Sequence, residues 1–294
     1  MRISITSATT VGESRGGGSV DRSAIAVGEA LTAGGIDVDD VDLLINTGIH
    51  RDDNIVEPAI AALIQKKSDI NPLYEGQAQP ALSFDLMNGP CGFLDAIEVT
   101  SAIFRTGGRR LAVIVGGEGH PSGSAREDST FPYLTSAAAV VVAPATDKTG
   151  FGRVYRARTT APDLPVGYLP LTTMGAQGCR VIGFERPDEQ AYDRGLDVAV
   201  EAVTACLERE GLDPARCVLL ASEPRPGFAK SVASAVGVDR VVTPDAPADP
   251  HSAALPFAYQ AWLHADTPRG DAAHALFLGA DGYFVAACAA YRLP

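Results

Sequence analysis

Residues 84–119 read FDLMNGPCGFLDAIEVTSAIFRTGGRRLAVIVGGEG, and this stretch decides how the chain folds. Asn88-Gly89-Pro90 is a turn signal after the strand-like Leu82 to Leu86. The apolar spacing then predicts a helix from Cys91 to Arg105, a basic glycine turn, and a buried strand from Leu111 to Val115. A cysteine that opens a helix after such a turn meets unpaired amides and the positive end of the helix dipole. Both favour a thiolate, the nucleophile that covalent acyl transfer requires. Cys91 is therefore the candidate nucleophile. Cys206 lies mid-helix, Cys217 and Cys288 lie in strands, and Cys179 lies in a stretch without periodicity; these four read as small hydrophobes.

Outward from this segment the same order recurs. Residues 248–282, ADPHSAALPFAYQAWLHADTPRGDAAHALFLGADG, again give a turn, a helix from about Ser252 to His264 and a strand from Ala273 to Leu278. Upstream, DRSAIAVGEALTAGGIDVDDVDLLINTG (21–48) gives a helix from Asp21 to Ala33, a Gly-Gly stop and a strand from Val41 to Asn46. DRGLDVAVEAVTACLEREGLDPARCVLLASE (193–223) repeats it, with a helix through Glu210, a stop at Gly211 and a strand from Cys217 to Ala221. Each half closes on one more strand, Ala137 to Val142 and Tyr283 to Ala290. A duplication of this kind sets the fold: residues 1–150 form one half, and 151–294 hold a connecting region and the second half. Helices alternating with apolar strands favour largely parallel sheets covered on both faces. Residues 146–190, rich in Pro, Gly and Arg, read as a connecting and substrate-lining region.

The bulk properties narrow the function. Of 294 residues, 46% are hydrophobic and 20% charged, enough for a sizeable core. The net charge of −12, without a run of five like charges, lacks the basic footprint of a nucleic-acid binder. Five cysteines without a Cys-x-x-Cys pair argue against a disulfide framework or a zinc knuckle. The first residues carry no apolar leader, and the longest apolar run, Ala137 to Ala145, is too short to span a bilayer, so the reading is of a cytoplasmic protein. No Gly-x-Ser-x-Gly elbow, His-Glu-x-x-His or phosphate loop is present, and no metal or permanently bound cofactor is expected.

The 84–119 segment resembles the nucleophile segment of the beta-ketoacyl-acyl-carrier-protein synthase III branch of the thiolase superfamily. The likeness extends to EALTAGGIDVDDVDLLINTG near the start, to the helix and strand before Glu223, and to GDAAHALFLGADGYFVAACAAYR at the end. It implies a thiolase-like α/β fold of two pseudo-symmetric halves in five layers, α-β-α-β-α. It also implies an acyl thioester of coenzyme A or an acyl carrier protein as substrate, and a homodimer or a heterodimer with a related synthase, built across a sheet edge. The amides of Cys91 and Gly282 are the oxyanion donors it implies.

This chain departs from the family pattern at three places. Where the family has a histidine after the second-half strand, Ser222 and Glu223 stand; where it has an asparagine before the second-half helix, Asp249-Pro250-His251-Ser252 stands; its Gly-Asp-Gly-Ala stretch is TFPYLTSAAA here. Decarboxylation needs donors aimed at the enolate, and an ionised Glu223 only accepts. The expectation is an acyltransferase or condensing enzyme of specialised metabolism that loads Cys91 without decarboxylating malonyl groups. Two alternatives stay open: a catalytically degenerate subunit that pairs with an active synthase, and a hydrolase that discharges acyl thioesters. His251, by the duplication at the counterpart of the Cys91 turn, and Glu223 are the candidate bases. Glu57 at a helix start, near a glutamate that a related synthase branch uses, is a weaker candidate. So are His120 and His50, both at strand ends.

Overall fold

The computed structural model describes residues 1–52, 57–70, 80–121, 131–160, 167–168, 183–184, 189–265 and 271–294. Cys179 and most of the connecting region lie outside them. The first half contains β1 (Ile3–Val11), α1 (Ser19–Gly34), β2 (Leu43–Asn46), α2 (Ile60–Lys67), β3 (Leu82–Asp85), α3 (Gly92–Arg105), β4 (Ala112–Glu118) and β5 (Ser136–Pro144). The second contains β6 (Gly150–Arg158), the two-residue strands β7 (Gly167–Tyr168) and β8 (Gly183–Phe184), α4 (Glu189–Glu210), β9 (Cys217–Ala221), α5 (Phe228–Val236), β10 (Arg240–Val242), α6 (Ala254–His264), β11 (His274–Ala280) and β12 (Val285–Arg292). With the β7–β8 pair set aside, the two halves match element for element.

The strand order makes the duplication explicit: β3-β2-β4-β5-β1 continues into β6-β12-β11-β9-β10, so each half mirrors the other across a seam where β1 meets β6 at Ile3 and Phe151. The sheets are mixed rather than largely parallel. β2 runs parallel to β3 and β4, and β9 to β10 and β11, but β5 and β12 run antiparallel to their neighbours. The β11–β12 link, residues 281–284, is too short to carry a helical crossover, so β12 must reverse against β11. The seam strands β1 and β6 escape a periodicity search because ISITSATTV and GFGRVYRAR mix buried with half-exposed positions.

Five layers follow from the contacts. α1 and α2 cover the outer face of the first sheet, and α4 and α5 cover that of the second, while α3 and α6 lie between the sheets and touch strands of both. The central layer joins Phe93, Leu94 and Ile97 of α3 with Leu255 and Trp262 of α6 and Phe277 of β11 in one buried cluster. The duplication reaches the caps. Gly35 and Gly211 end α1 and α4 in the left-handed conformation (φ 63° and 65°). The next residue's amide closes the turn, Ile36 N–H on Leu31 O at 3.0 Å and Leu212 N–H on Leu207 O at 2.9 Å. This pairing of α3 and α6 at the centre brings their two entry turns together.

Candidate active site

The turn before α3 is a 3-10 turn, Gly89–Cys91, and the turn before α6 is another, His251–Ala253. Each starts on a residue with positive φ, Gly89 at 48° and His251 at 51°. Glycine visits that region freely, whereas a histidine there costs on the order of 1 kcal/mol or more. His251 is therefore the counterpart of Gly89, and Cys91 corresponds to Ala253. The two turns meet: a Cβ built on Gly89 would lie 3.1 Å from His251 Nε2, so glycine leaves the imidazole room two residues ahead of the cysteine.

His251 is 7% exposed, and its Nδ1 lies 2.9 Å from Glu118 Oε1. Glu118 is the last residue of β4, AVIVGGE, and is wholly buried. Its other oxygen, Oε2, lies 2.8 Å from His50 Nδ1 and accepts the His50 amide at 2.8 Å, while Oε1 also accepts the Ser252 amide at 3.3 Å. Burial alone would raise the Glu118 carboxyl; the charge and hydrogen bonds of His251 and His50 outweigh it and hold the group well below the usual carboxylate range. Burial likewise pulls His251 down, but Glu118, then Asp249 and Asp281, raise its affinity for a proton above the ordinary value. Asp249 accepts the His251 amide at 2.8 Å.

Aromatic rings close the cluster. Tyr133 stacks on His251 at 4.0 Å between centroids and on His50 at 4.9 Å, and Phe131 meets both His50 and Tyr133 edge-on. The Leu134 amide donates to Asp249 O at 2.7 Å, which fastens this segment to the His251 turn. Burial and the charges of Asp249, Glu118 and Asp281 push the Tyr133 hydroxyl far up, so it stays protonated.

Cys91 is 1% exposed, and its Sγ donates to Gly279 O at 3.3 Å. The sequence expectation of a lowered thiol pKa is corrected here. Burial, followed by Asp281 and Asp95, pushes the thiol far up, against a smaller opposing effect of Arg156. Burial of the thiol, with the charges of Asp281 and Asp95, outweighs the favourable end of the helix dipole.

The remaining sequence candidates fall in different places. Both oxygens of Glu223 cap α5, taking the Gly227 amide at 2.5 Å and the Ala229 amide at 2.8 Å. This occupies the acceptors a base would use. Gly282 (φ 80°) is packed under Pro224 and Tyr192, and Gly279, inside β11, is the glycine that closes on Cys91, its Cα hydrogen pointing at Pro90 O and Cys91 Cα. The Cys91 amide donates to Asn88 O at 3.1 Å inside its own turn, so the expected pair of oxyanion amides is not assembled in this conformation. Glu57 is exposed, and the start of α2 is served instead by Asp85, which accepts the Ile60 and Ala61 amides at 3.0 and 2.8 Å. His120 lies against Phe131, 4.6 Å between rings.

Glu118 was not singled out from the sequence as a site residue, and His50 ranked only among the weaker candidates. A signal for Glu118 was present: a carboxylate ending an otherwise apolar strand is rarely buried unless it is paired. Among the described residues, His50, Glu118 and His251 are the group with the composition and spacing to hold a metal ion, their ligand atoms all lying within 4.8 Å of one another. In this structure the Nδ1 of each imidazole has its own carboxylate oxygen at hydrogen-bond distance.

No family model matches this chain. A segment of 98 residues is 32% identical to beta-ketoacyl-acyl-carrier-protein synthase III 2 of Vibrio vulnificus; it takes in 33% of this chain and 24% of that relative's length. Solved structures match over the whole fold. The 3-oxoacyl-acyl-carrier-protein synthase III of Pseudomonas aeruginosa superposes with a TM-score of 0.78 at 17% identity, covering 100% of this chain and 99% of its own. A cysteine-to-serine variant of OleA from Xanthomonas campestris, with bound lauric acid and lauroyl-CoA, gives 0.77 at 15% identity, covering 100% and 99%. The fold is thus the thiolase-like α/β fold that these structures share. No described helix is long and apolar enough to cross a membrane.

Proposed function

We propose that this protein is an acyl-transferring enzyme in which Cys91 takes an acyl group from a coenzyme A or carrier-protein thioester. The observation that carries the reading is the meeting of the two entry turns, with His251 delivered by the second half beside the Cys91 turn and held through Nδ1 by Glu118. A carboxylate on Nδ1 fixes the tautomer whose Nε2 is a base. In the first step His251 Nε2 takes the thiol proton, Cys91 Sγ bonds to the thioester carbonyl, and the departing thiolate recovers that proton. In the second an acceptor alcohol, amine or activated carbon attacks the acyl-cysteine; its proton passes to His251 and then to the Cys91 sulfur. The raised thiol suits this order, because the proton leaves only as the acyl donor arrives.

Glu223, whose oxygens cap α5, offers no donor for a malonyl enolate, and this supports an acceptor other than a malonyl group undergoing decarboxylation. A dimer along the exposed edge strand β3, where Leu82 is 44% exposed, completes the proposal. The dryness of Cys91 favours a second reading, a partner subunit with an idle cysteine. Intact-protein mass after incubation with a panel of acyl-coenzyme A thioesters separates the two. An adduct on the wild type that Cys91→Ala abolishes supports transfer, and no adduct under reducing conditions supports the partner subunit.

A further inference from the structure

Glu118 is shared. Its two oxygens serve two imidazoles from different loops, His251 Nδ1 on Oε1 at 2.9 Å and His50 Nδ1 on Oε2 at 2.8 Å, and the rings stand 5.2 Å apart. A base oriented by a carboxylate needs one such contact. The second draws charge away from the first, because every donor on a carboxylate weakens what remains for the others.

We propose that His50 is a positioning residue that sets the proton affinity of His251 through their common partner Glu118, and thereby sets the pH window in which His251 is a free base for Cys91. The inference rests on His251 being that base. Three carboxylates surround His251: Glu118 from β4, Asp249 two residues ahead of it, and Asp281 from the β11–β12 turn. Tyr133 lies on its face and His50 beside it, and among the described residues no Lys or Arg makes an ion pair with any of the three acids. Unopposed, that setting favours the protonated form of His251, which is not a base. His50 opposes it in either charge state: as a neutral donor it stabilises the carboxylate charge, and as a cation it also repels a proton on His251.

The experiment reads the His251 imidazole directly, by NMR titration of histidine-labelled protein that has met no acyl donor, so the outcome is separate from whether acyl loading occurs. His50→Phe removes the donor and keeps the stacking ring. His50→Asn places an amide N–H where Nδ1 was. The expected result is a rise of about one unit in the His251 pKa in His50→Phe and a near-wild-type value in His50→Asn; one unit corresponds to about tenfold in base population. The acid limb of Cys91 acylation moves with it. If His50→Phe does not fold, the wild type still tests the sharing, since both rings must show the Nδ1-protonated tautomer by their nitrogen shifts. An unmoved His251, an equal rise in both variants, an Nε2-protonated ring, or a stoichiometric metal ion in the purified protein overturns the proposal.

Discussion

Glu118→Gln tests the site most directly. The carboxylate is wholly buried and accepts two imidazole N–H groups at 2.8 and 2.9 Å and the amides of His50 and Ser252 at 2.8 and 3.3 Å. Glutamine keeps one acceptor oxygen and turns the other into an NH2 donor. One imidazole then faces a donor and must present an Nδ1 lone pair, moving its own proton to Nε2. If that ring is His251, the base is lost, and general-base catalysis worth about 10²–10⁴-fold goes with it, or roughly 3–5 kcal/mol of barrier. Stability falls as well. Hydrogen bonds to a charged acceptor contribute about 1.5–3 kcal/mol against about 0.5–1.5 for neutral ones, so two weakened bonds cost about 2–3 kcal/mol before the relief of a buried charge offsets part of it. In a chain of this size that lowers Tm by roughly 5 °C. Quenched-flow intact-mass kinetics of acylation and thermal unfolding measure the two losses. A folded Glu118→Gln protein that acylates Cys91 at the wild-type rate would refute the orienting role.

Other outcomes follow from single contacts. Gly279→Ala sets a Cβ 2.3 Å from Pro90 O and 3.1 Å from Cys91 Cα, so the nucleophile turn must move; calorimetry should show a loss of about 1–3 kcal/mol, and Cys91 alkylation should change in the same protein. Glu223→Gln removes the charged cap of α5 and costs about 1 kcal/mol, with acyl loading left near wild type; a collapse of loading in a stable protein would return Glu223 to the chemistry. His251→Gly and His251→Ala should both lose acylation, yet the glycine variant should unfold at the higher temperature because φ is 51° there. Stability should also depend on pH with a definite sign. His251 binds its proton more tightly folded than at the ordinary 6.5, so its contribution is full below pH 6.5 and is lost as the pH rises through the folded value. Glu118, held below 4.5, contributes above pH 4.5 and loses this as the pH falls. Asp249 and Asp281, raised above 3.8, tilt the curve the same way as His251. The Tm gap between wild type and His251→Gln should therefore narrow from pH 6 to 9, and a constant gap would contradict the assignment.

Part of the architecture was legible in the chain. Helix spacing, the Gly-Gly stop after Ala33, the stop at Gly211 and the apolar strands are local patterns, and they repeat, so the duplication could be read from residues near each other, while the antiparallel strands and the seam strands β1 and β6 could not. Cys91 was legible for the same reason, since a turn and a helix start are local. The surroundings of Cys91 were not. His50 lies just beyond β2 and Glu118 ends the neighbouring parallel strand β4, whereas Tyr133 precedes β5 and His251 opens the turn before α6, so tertiary structure gathers them around one buried carboxylate. Nor could the ionisation of Cys91 be read from its helix start, because burial and the charges of Asp281 and Asp95, supplied by the fold, outweigh the dipole. Local hydrogen-bonding patterns belong to the chain. Desolvation and the pairing of charges belong to the packed molecule, and at this site they decide which group can give up a proton.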